Sequence, residues 1–191
     1  MTDRADPPAP AATTPGAPFA LRSARADDAA ALGVLGAAAF VAKFGLLYRP
    51  ADLSAYLAEA YTPAAVAREL ADPSRVFCVA VPARAESPLR GWCKLGLACG
   101  FPQHARGRRV MELKQLYTAA DATGQGIGAA LMDWAMAEFA ARGADEVQIS
   151  VWSGNHGAQR FYARYGFAKV ADVTFRVGEQ LDEEFLFARM L

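Results

Sequence analysis

A strand that runs into a glycine-spaced helix entry constrains this chain most. Glu112-Leu-Lys-Gln-Leu-Tyr117 reads as an apolar-rich strand, and Thr123-Gly-Gln-Gly-Ile-Gly128 opens an apolar helix after a short turn. The first turn of a helix carries N–H groups with no partner inside the helix, and aligned peptide dipoles make that end partly positive. Glycines at 124, 126 and 128 leave the backbone uncovered there, so a pyrophosphate can approach the main chain. The stretch therefore reads as a cradle for a phosphorylated ligand, or else as a helix entry that simply packs tightly. It is not a Walker loop, because Ala129 and Ala130 stand where a Lys-Ser or Lys-Thr pair would follow. It also lacks the dinucleotide G-x-G-x-x-G spacing, and no acidic residue closes a second strand.

Composition narrows the classes further. The 191 residues suit one domain with a full core. Lys+Arg and Asp+Glu both total 20, and this balance argues against nucleic acid, whose phosphates demand an excess of basic charge. Cys78, Cys93 and Cys99 have no metal-ligand spacing; an odd count without a signal peptide points to reduced thiols in the cytoplasm, used as small core filler. No apolar run approaches the roughly 20 residues that span a bilayer, so no membrane partner is expected. Residues 1–18, rich in Ala, Pro and Thr, read as a disordered tail ahead of a domain over 19–191.

Along the domain, Phe19 to Arg25 alternates as a first strand, and Asp27 and Asp28 start a helix bearing Leu32, Leu35 and Ala39. Pro50 to Tyr61 is a second helix, and Thr62-Pro63 restarts a third to about Ala71. This region is rich in aromatics, Phe40, Phe44, Tyr48, Tyr56 and Tyr61, which suit a core or a substrate wall. Arg75–Val81 is a continuous apolar strand, paired through a turn at Glu86-Ser-Pro88 with Arg90–Ala98. The strand Arg109–Thr118 follows, then a helix Gln125–Ala141 ending at Gly143, a strand Val147–Trp152, a helix from Gly154-Asn155 to Tyr165, and a hairpin of Ala168–Val177 with Glu184–Met190. This order predicts a mixed α/β fold: a twisted mixed sheet of about seven strands with helices on both faces. Gln125–Ala141 is expected to cross over between two neighbouring parallel strands.

A second informative stretch is Asn155-x-x-Ala158-x-x-Phe161-Tyr162 with Tyr165-Gly-Phe167. By itself it is a capped helix whose Tyr162 wedges between helix and sheet. With the glycine run, in this order and at this separation, it resembles the GNAT superfamily of acetyl-CoA-dependent N-acetyltransferases. The resemblance covers Phe19 to Leu191; Phe40 to Tyr61, Phe175-Arg-Val-Gly178 and Glu184-Phe185 look most like the spermidine/spermine-type branch.

That resemblance implies transfer of the acetyl group of acetyl-CoA to a primary amine by direct attack, without a metal. The acceptor would be a small amine, polyamine, amino acid or peptide amine, and a homodimer is left open. Glu112 falls where several members keep a carboxylate base, and Tyr162 falls on the general-acid tyrosine. An alkylammonium, with a pKa of about 10.4, must lose a proton before attacking, and a phenol at about 10 stays protonated to serve a thiol at about 8.5. The cosubstrate would lie on Leu116, Tyr117 and Thr118, pairing its pantetheine amides with strand main chain, and on Thr123, Gly124, Gln125, Gly126, Ile127, Gly128 and Ala129, with Asn155 and Tyr162 on the far side. A main-chain N–H near Leu116 or Tyr117 would polarise the thioester. Thr123 departs from the family's usual Gln or Arg, so its hydroxyl or Gln125 would substitute. Asp182, Glu183 and Glu184 would attract a cation or simply form a solvated turn. The alternative is a non-catalytic acyl-CoA-binding module of the same fold.

Overall fold

The computed structural model describes residues 19–83 and 88–191. The expected tail over 1–18 and the turn positions Glu86 and Ser87 lie outside the described residues. The chain runs β1 (Phe19–Ser23), α1 (Ala29–Phe44), α2 (Pro50–Ala60), α3 (Pro63–Ala71), β2 (Arg75–Pro82), β3 (Gly91–Gly96), β4 (Val110–Thr118), α4 (Ile127–Ala141), β5 (Glu146–Trp152), α5 (His156–Arg164), β6 (Ala168–Val177) and β7 (Gln180–Met190). Seven strands form one sheet in the order β1-β2-β3-β4-β5-β7-β6, antiparallel except between β4 and β5. The mixed sheet and the parallel pair bridged by α4 both appear as expected.

The continuous apolar run of β2 follows from burial on both faces. Phe77 and Val79 pack with Leu32, Phe40, Tyr61 and Val66 on the side of α1 and α3. Their alternates Cys78 and Ala80 pack with Ile127, Leu131, Phe139 and Tyr162 on the side of α4 and α5. β4 is sorted likewise, but a bulge opposite Lys94 and Leu95 shifts its parity, so that Met111 and Leu113 before it and Leu116 after it lie on the second side and Tyr117 on the first. Cys78 and Cys93 are fully buried free thiols, consistent with core filling.

Several boundaries move from the sequence expectation, three of them for identifiable reasons. β1 stops at Ser23 because the Arg25 N–H turns to the Asp28 carboxylate, 2.7 Å away, to begin the next helical turn. α4 begins at Ile127 rather than Gln125, since Gly124 and Gly126 hold φ of +80° and +81°, outside helical geometry. β7 begins at Gln180, because the Val177↔Gln180 pair is closed by a two-residue turn with Gly178 at φ +59°. Asp182 to Glu184 are thus strand residues, not a solvated turn. Strand alternation then buries Asp182 and leaves Glu183 exposed.

β4 and β5 pair over only three positions, Val110–Glu112 against Glu146–Gln148. Both strands continue, β4 to Thr118 and β5 to Trp152, without pairing to each other. The sheet therefore splits beyond Glu112 and Gln148.

Candidate active site

A cavity of about 1220 Å³ occupies that split and opens to both faces of the sheet. From the side of α4 and α5 it is reached by Thr123, Asn155, Ala158 and Tyr162; from the side of α1 and α2 by Phe40, Tyr48, Tyr56, Asp182 and Glu184. Glu112, Leu116, Tyr117 and Thr118 form the wall between them.

Ladder geometry shows which β4 groups face the split. The Ala119 N–H donates to the Arg90 carbonyl on the β3 side at 2.9 Å. Backbone groups of alternate residues in a strand point the same way, so Tyr117 also faces β3, while Leu116 and Thr118 direct their N–H and C=O groups into the split. Of the two N–H groups expected near a thioester, Leu116's faces the cavity and Tyr117's is spent in the sheet.

At the mouth, α4 has no side-chain cap: its N-cap is Gly126, in the left-handed conformation. The N–H groups of Ile127, Gly128 and Ala129 have no carbonyl partner inside the helix. A Cβ placed on Gly124 or Gly126 would meet nothing within 4 Å, so the backbone there is open. Gly128 is different, its Cβ position lying 3.8–3.9 Å from Thr118 and Leu116, where an alanine would fit. The Ile127 side chain is core. The Thr123 hydroxyl donates to the Ala120 carbonyl at 3.2 Å and the Gln125 amide to the Asp121 carbonyl at 2.9 Å, so both brace the loop rather than reach outward.

On α5, the Asn155 side chain accepts from the Ala158 N–H at 3.2 Å and caps the helix. Asn155→Ala is expected to lower stability by about 1 kcal/mol, read as a fall in the urea midpoint at unchanged m value. Tyr162, 6% exposed, stands one face further round with its ring against Phe161 and Phe167. Burial pushes its hydroxyl well above the ordinary phenol range, with Tyr117 and Cys93 adding to the effect, so the group keeps its proton.

The Glu112 carboxylate is buried at the neck of the split. Its Oε2 accepts from the Gly100 N–H and from Lys114 Nζ, each at 2.6 Å, so this carboxylate already has a counterion. Lys94 is paired with Glu69 in the same way, and burial lowers its ammonium below the usual lysine range despite that partner.

Gln115 lines the cavity and was given no role by sequence. Gln115 Nε2 donates to the Tyr61 hydroxyl at 3.1 Å, and Tyr61 meets the Tyr117 hydroxyl at 3.1 Å, forming a polar chain under an aromatic wall. The density of aromatics from Phe40 to Tyr61 was the available signal, but core packing explains such density equally well. Among the described residues, no group of three or more His, Cys, Asp or Glu is placed to hold a metal, and no helix is long and apolar enough to cross a membrane.

A split sheet whose parallel pair is bridged by a glycine-capped helix defines a known class of fold. The model of the acetyltransferase (GNAT) family matches residues 48–167, and the chain belongs to that family. An uncharacterized N-acetyltransferase of Mycobacterium tuberculosis is 37% identical over 97 residues, half of this chain and 62% of the relative's length. The same holds for one of Mycobacterium bovis. The chain thus spans less than two thirds of the curated relatives it matches. Among solved structures, the PaiA N-acetyltransferase of Thermoplasma acidophilum, in complex with coenzyme A, superposes with a TM-score of 0.71 at 19% identity, covering 91% of this chain and 99% of the other. Arabidopsis thaliana NAA60, in complex with acetyl-CoA, gives 0.70 at 17% identity over 91% and 98%. At such identities these neighbours speak to the fold.

Proposed function

We propose that the protein is an acetyl-CoA-dependent N-acetyltransferase acting on a primary amine. The observation that carries this reading is the split itself. Outward main-chain groups of Leu116 and Thr118 lie between an uncovered helix N-terminus and a buried, protonated tyrosine, all bordering one cavity that opens on both faces.

The donor fits the residues present. Its pyrophosphate would lie on the N–H groups of Ile127, Gly128 and Ala129, where the glycines of the loop leave room. Its amide-bearing arm would add to β4 as a short strand on Leu116 and Thr118. The acyl thioester supplies an activated carbonyl carbon with a thiolate as leaving group. Leu116 N–H is placed to steady charge that develops on the carbonyl oxygen, and the Tyr162 hydroxyl to give its proton to the departing sulfur. Tyr162 stays protonated because burial disfavours its phenolate. The acceptor enters from the opposite face, past Phe40, Tyr48 and Tyr56, so the two substrates meet in the split without a covalent enzyme intermediate.

The test is a thiol-release assay with acetyl-CoA and a panel of primary amines, run beside a thermal melt. Amine-dependent release of CoA thiol is expected, with acetyl-CoA raising the melting temperature. A raised melting temperature with no release for any amine would leave only a CoA-binding module.

A further inference from the structure

We propose that Glu184 is the carboxylate that binds the acceptor's ammonium and takes its proton, and that acceptors are amines without a carboxylate beside the nitrogen. This rests on the acetyltransferase reading above.

The position follows from register. On β7, Glu184 lies opposite Trp152 of β5, on the same face as Asp182, and borders the cavity beside the split. Among the acidic residues that line the cavity, Glu184 stands apart, since Glu59 is exposed to solvent and Asp72 accepts from Ser74. Glu112 holds Lys114 and the Gly100 N–H, and Glu69 holds Lys94. Asp182 accepts from the Tyr48 hydroxyl and from Gln180 Nε2. Glu184 Oε2 is shut off from solvent and has no hydrogen-bond partner, and no ion pair to Glu184 is found among the described residues. A carboxylate oxygen shut off from water without a counterion is costly unless a cation arrives to match it.

The groups facing it are acidic, phenolic or neutral. They are Asp182 beside it on β7, Glu112 and Tyr117 from β4, Ser150 from β5, Tyr56 from α2 and Tyr48 from the loop after α1. Burial raises the Glu184 carboxyl above the ordinary range, the charges of Asp182 and Glu112 raise it further, and Ser150 partly offsets them. A carboxylate so placed has a stronger hold on a proton than a solvated one. Phe40, Tyr56 and Phe175 form a connected wall, with ring centroids 4.6 Å apart for the first pair and 5.9 Å for the second. Such faces favour a desolvated ammonium and cover an apolar amine body. A carboxylate next to the amine would instead meet Glu184 and Asp182.

The ammonium gives one proton to the Glu184 carboxylate, and the freed lone pair forms the C–N bond at the acetyl carbon. The C–S bond breaks with its electron pair on sulfur, which takes the Tyr162 proton. The acetylated nitrogen loses its second proton, which returns through water to Tyr162, and Glu184 releases its own to solvent. The products are an N-acetyl amide, CoA thiol and one proton.

The experiment measures kcat/KM against pH for butylamine, phenethylamine, trifluoroethylamine and glycine, with the wild type, Glu184→Gln and Glu112→Gln. For butylamine the wild-type profile should be flat above an acid limb that lies higher than the ordinary carboxylate range, up to the amine's own pKa of about 10.4. Glu184→Gln should lose about 100-fold or more at pH 7 with butylamine. Its profile should then rise tenfold per pH unit, while acetyl-CoA still raises its melting temperature. Trifluoroethylamine, already neutral at pH 7, should lose far less, and glycine should be a poor acceptor throughout. A wild-type profile that climbs tenfold per unit from pH 6 to 9 would overturn the proposal without any variant. So would an unchanged Glu184→Gln rate, a loss found only in Glu112→Gln, or glycine used as well as butylamine. If the wild type releases no thiol with any amine, the acetyltransferase reading fails first, and that outcome is distinct from these.

Discussion

Gly126→Glu is expected to abolish acetyl-CoA binding while leaving a folded protein. Gly126 sits at φ +81° directly before α4, and a side chain there meets no protein atom within 4 Å. It would therefore project into the space that a pyrophosphate must enter. Two effects separate by size. A non-glycine residue in the left-handed region costs about 1–2 kcal/mol of folding stability. A carboxylate held ~4 Å from a phosphate oxygen repels it by ~4 kcal/mol at an effective dielectric of 20, or roughly 10³-fold in affinity. Charge dominates, so Gly126→Ala should share the stability loss but weaken binding much less. Titration calorimetry separates the two variants, and near-native affinity in Gly126→Glu would remove this turn from the phosphate site.

The second large effect is expected at Tyr162. Tyr162→Phe keeps the ring against Phe161 and Phe167 and deletes only the hydroxyl. Loss of a positioned acid lowers turnover by about 10²–10⁴-fold, and the acetyl-CoA-induced rise in melting temperature should remain. The sign with pH is also fixed. Burial raises the hydroxyl, so the donating form persists as pH climbs through the neutral and mildly alkaline range, and no loss of kcat there should come from Tyr162. An unchanged turnover in Tyr162→Phe would remove it from the chemistry.

Element types were legible because each rests on local chemistry. The Thr62-Pro63 start of α3 is a side-chain cap followed by proline, and the Thr62 hydroxyl does accept from the Ala65 N–H at 3.3 Å. The apolar run of β2 and the helical spacing of Leu131, Ala135 and Phe139 record burial that the sequence carries directly. The charged stretch Asp182–Glu184 was harder, since a hairpin turn and an alternating strand both tolerate acidic residues. The Gly178 turn decided it, and that turn depends on which residue of β6 pairs with Gln180.

The sequence alone determined the order of strands and helices, the glycine-capped entry to α4 and the placing of Tyr162 on a capped helix. All of these follow from side-chain periodicity and backbone freedom within a few residues. Only the tertiary structure decided that β4 and β5 part after Glu112 and Gln148, which turns the strand before the glycine run into one wall of a cavity. It also decided that Glu112 is matched by Lys114 while Glu184, 72 positions further along the chain, lies across the split with no counterion among the described residues. Pairing of charges is a property of distances between strands. No spacing along the chain encodes it.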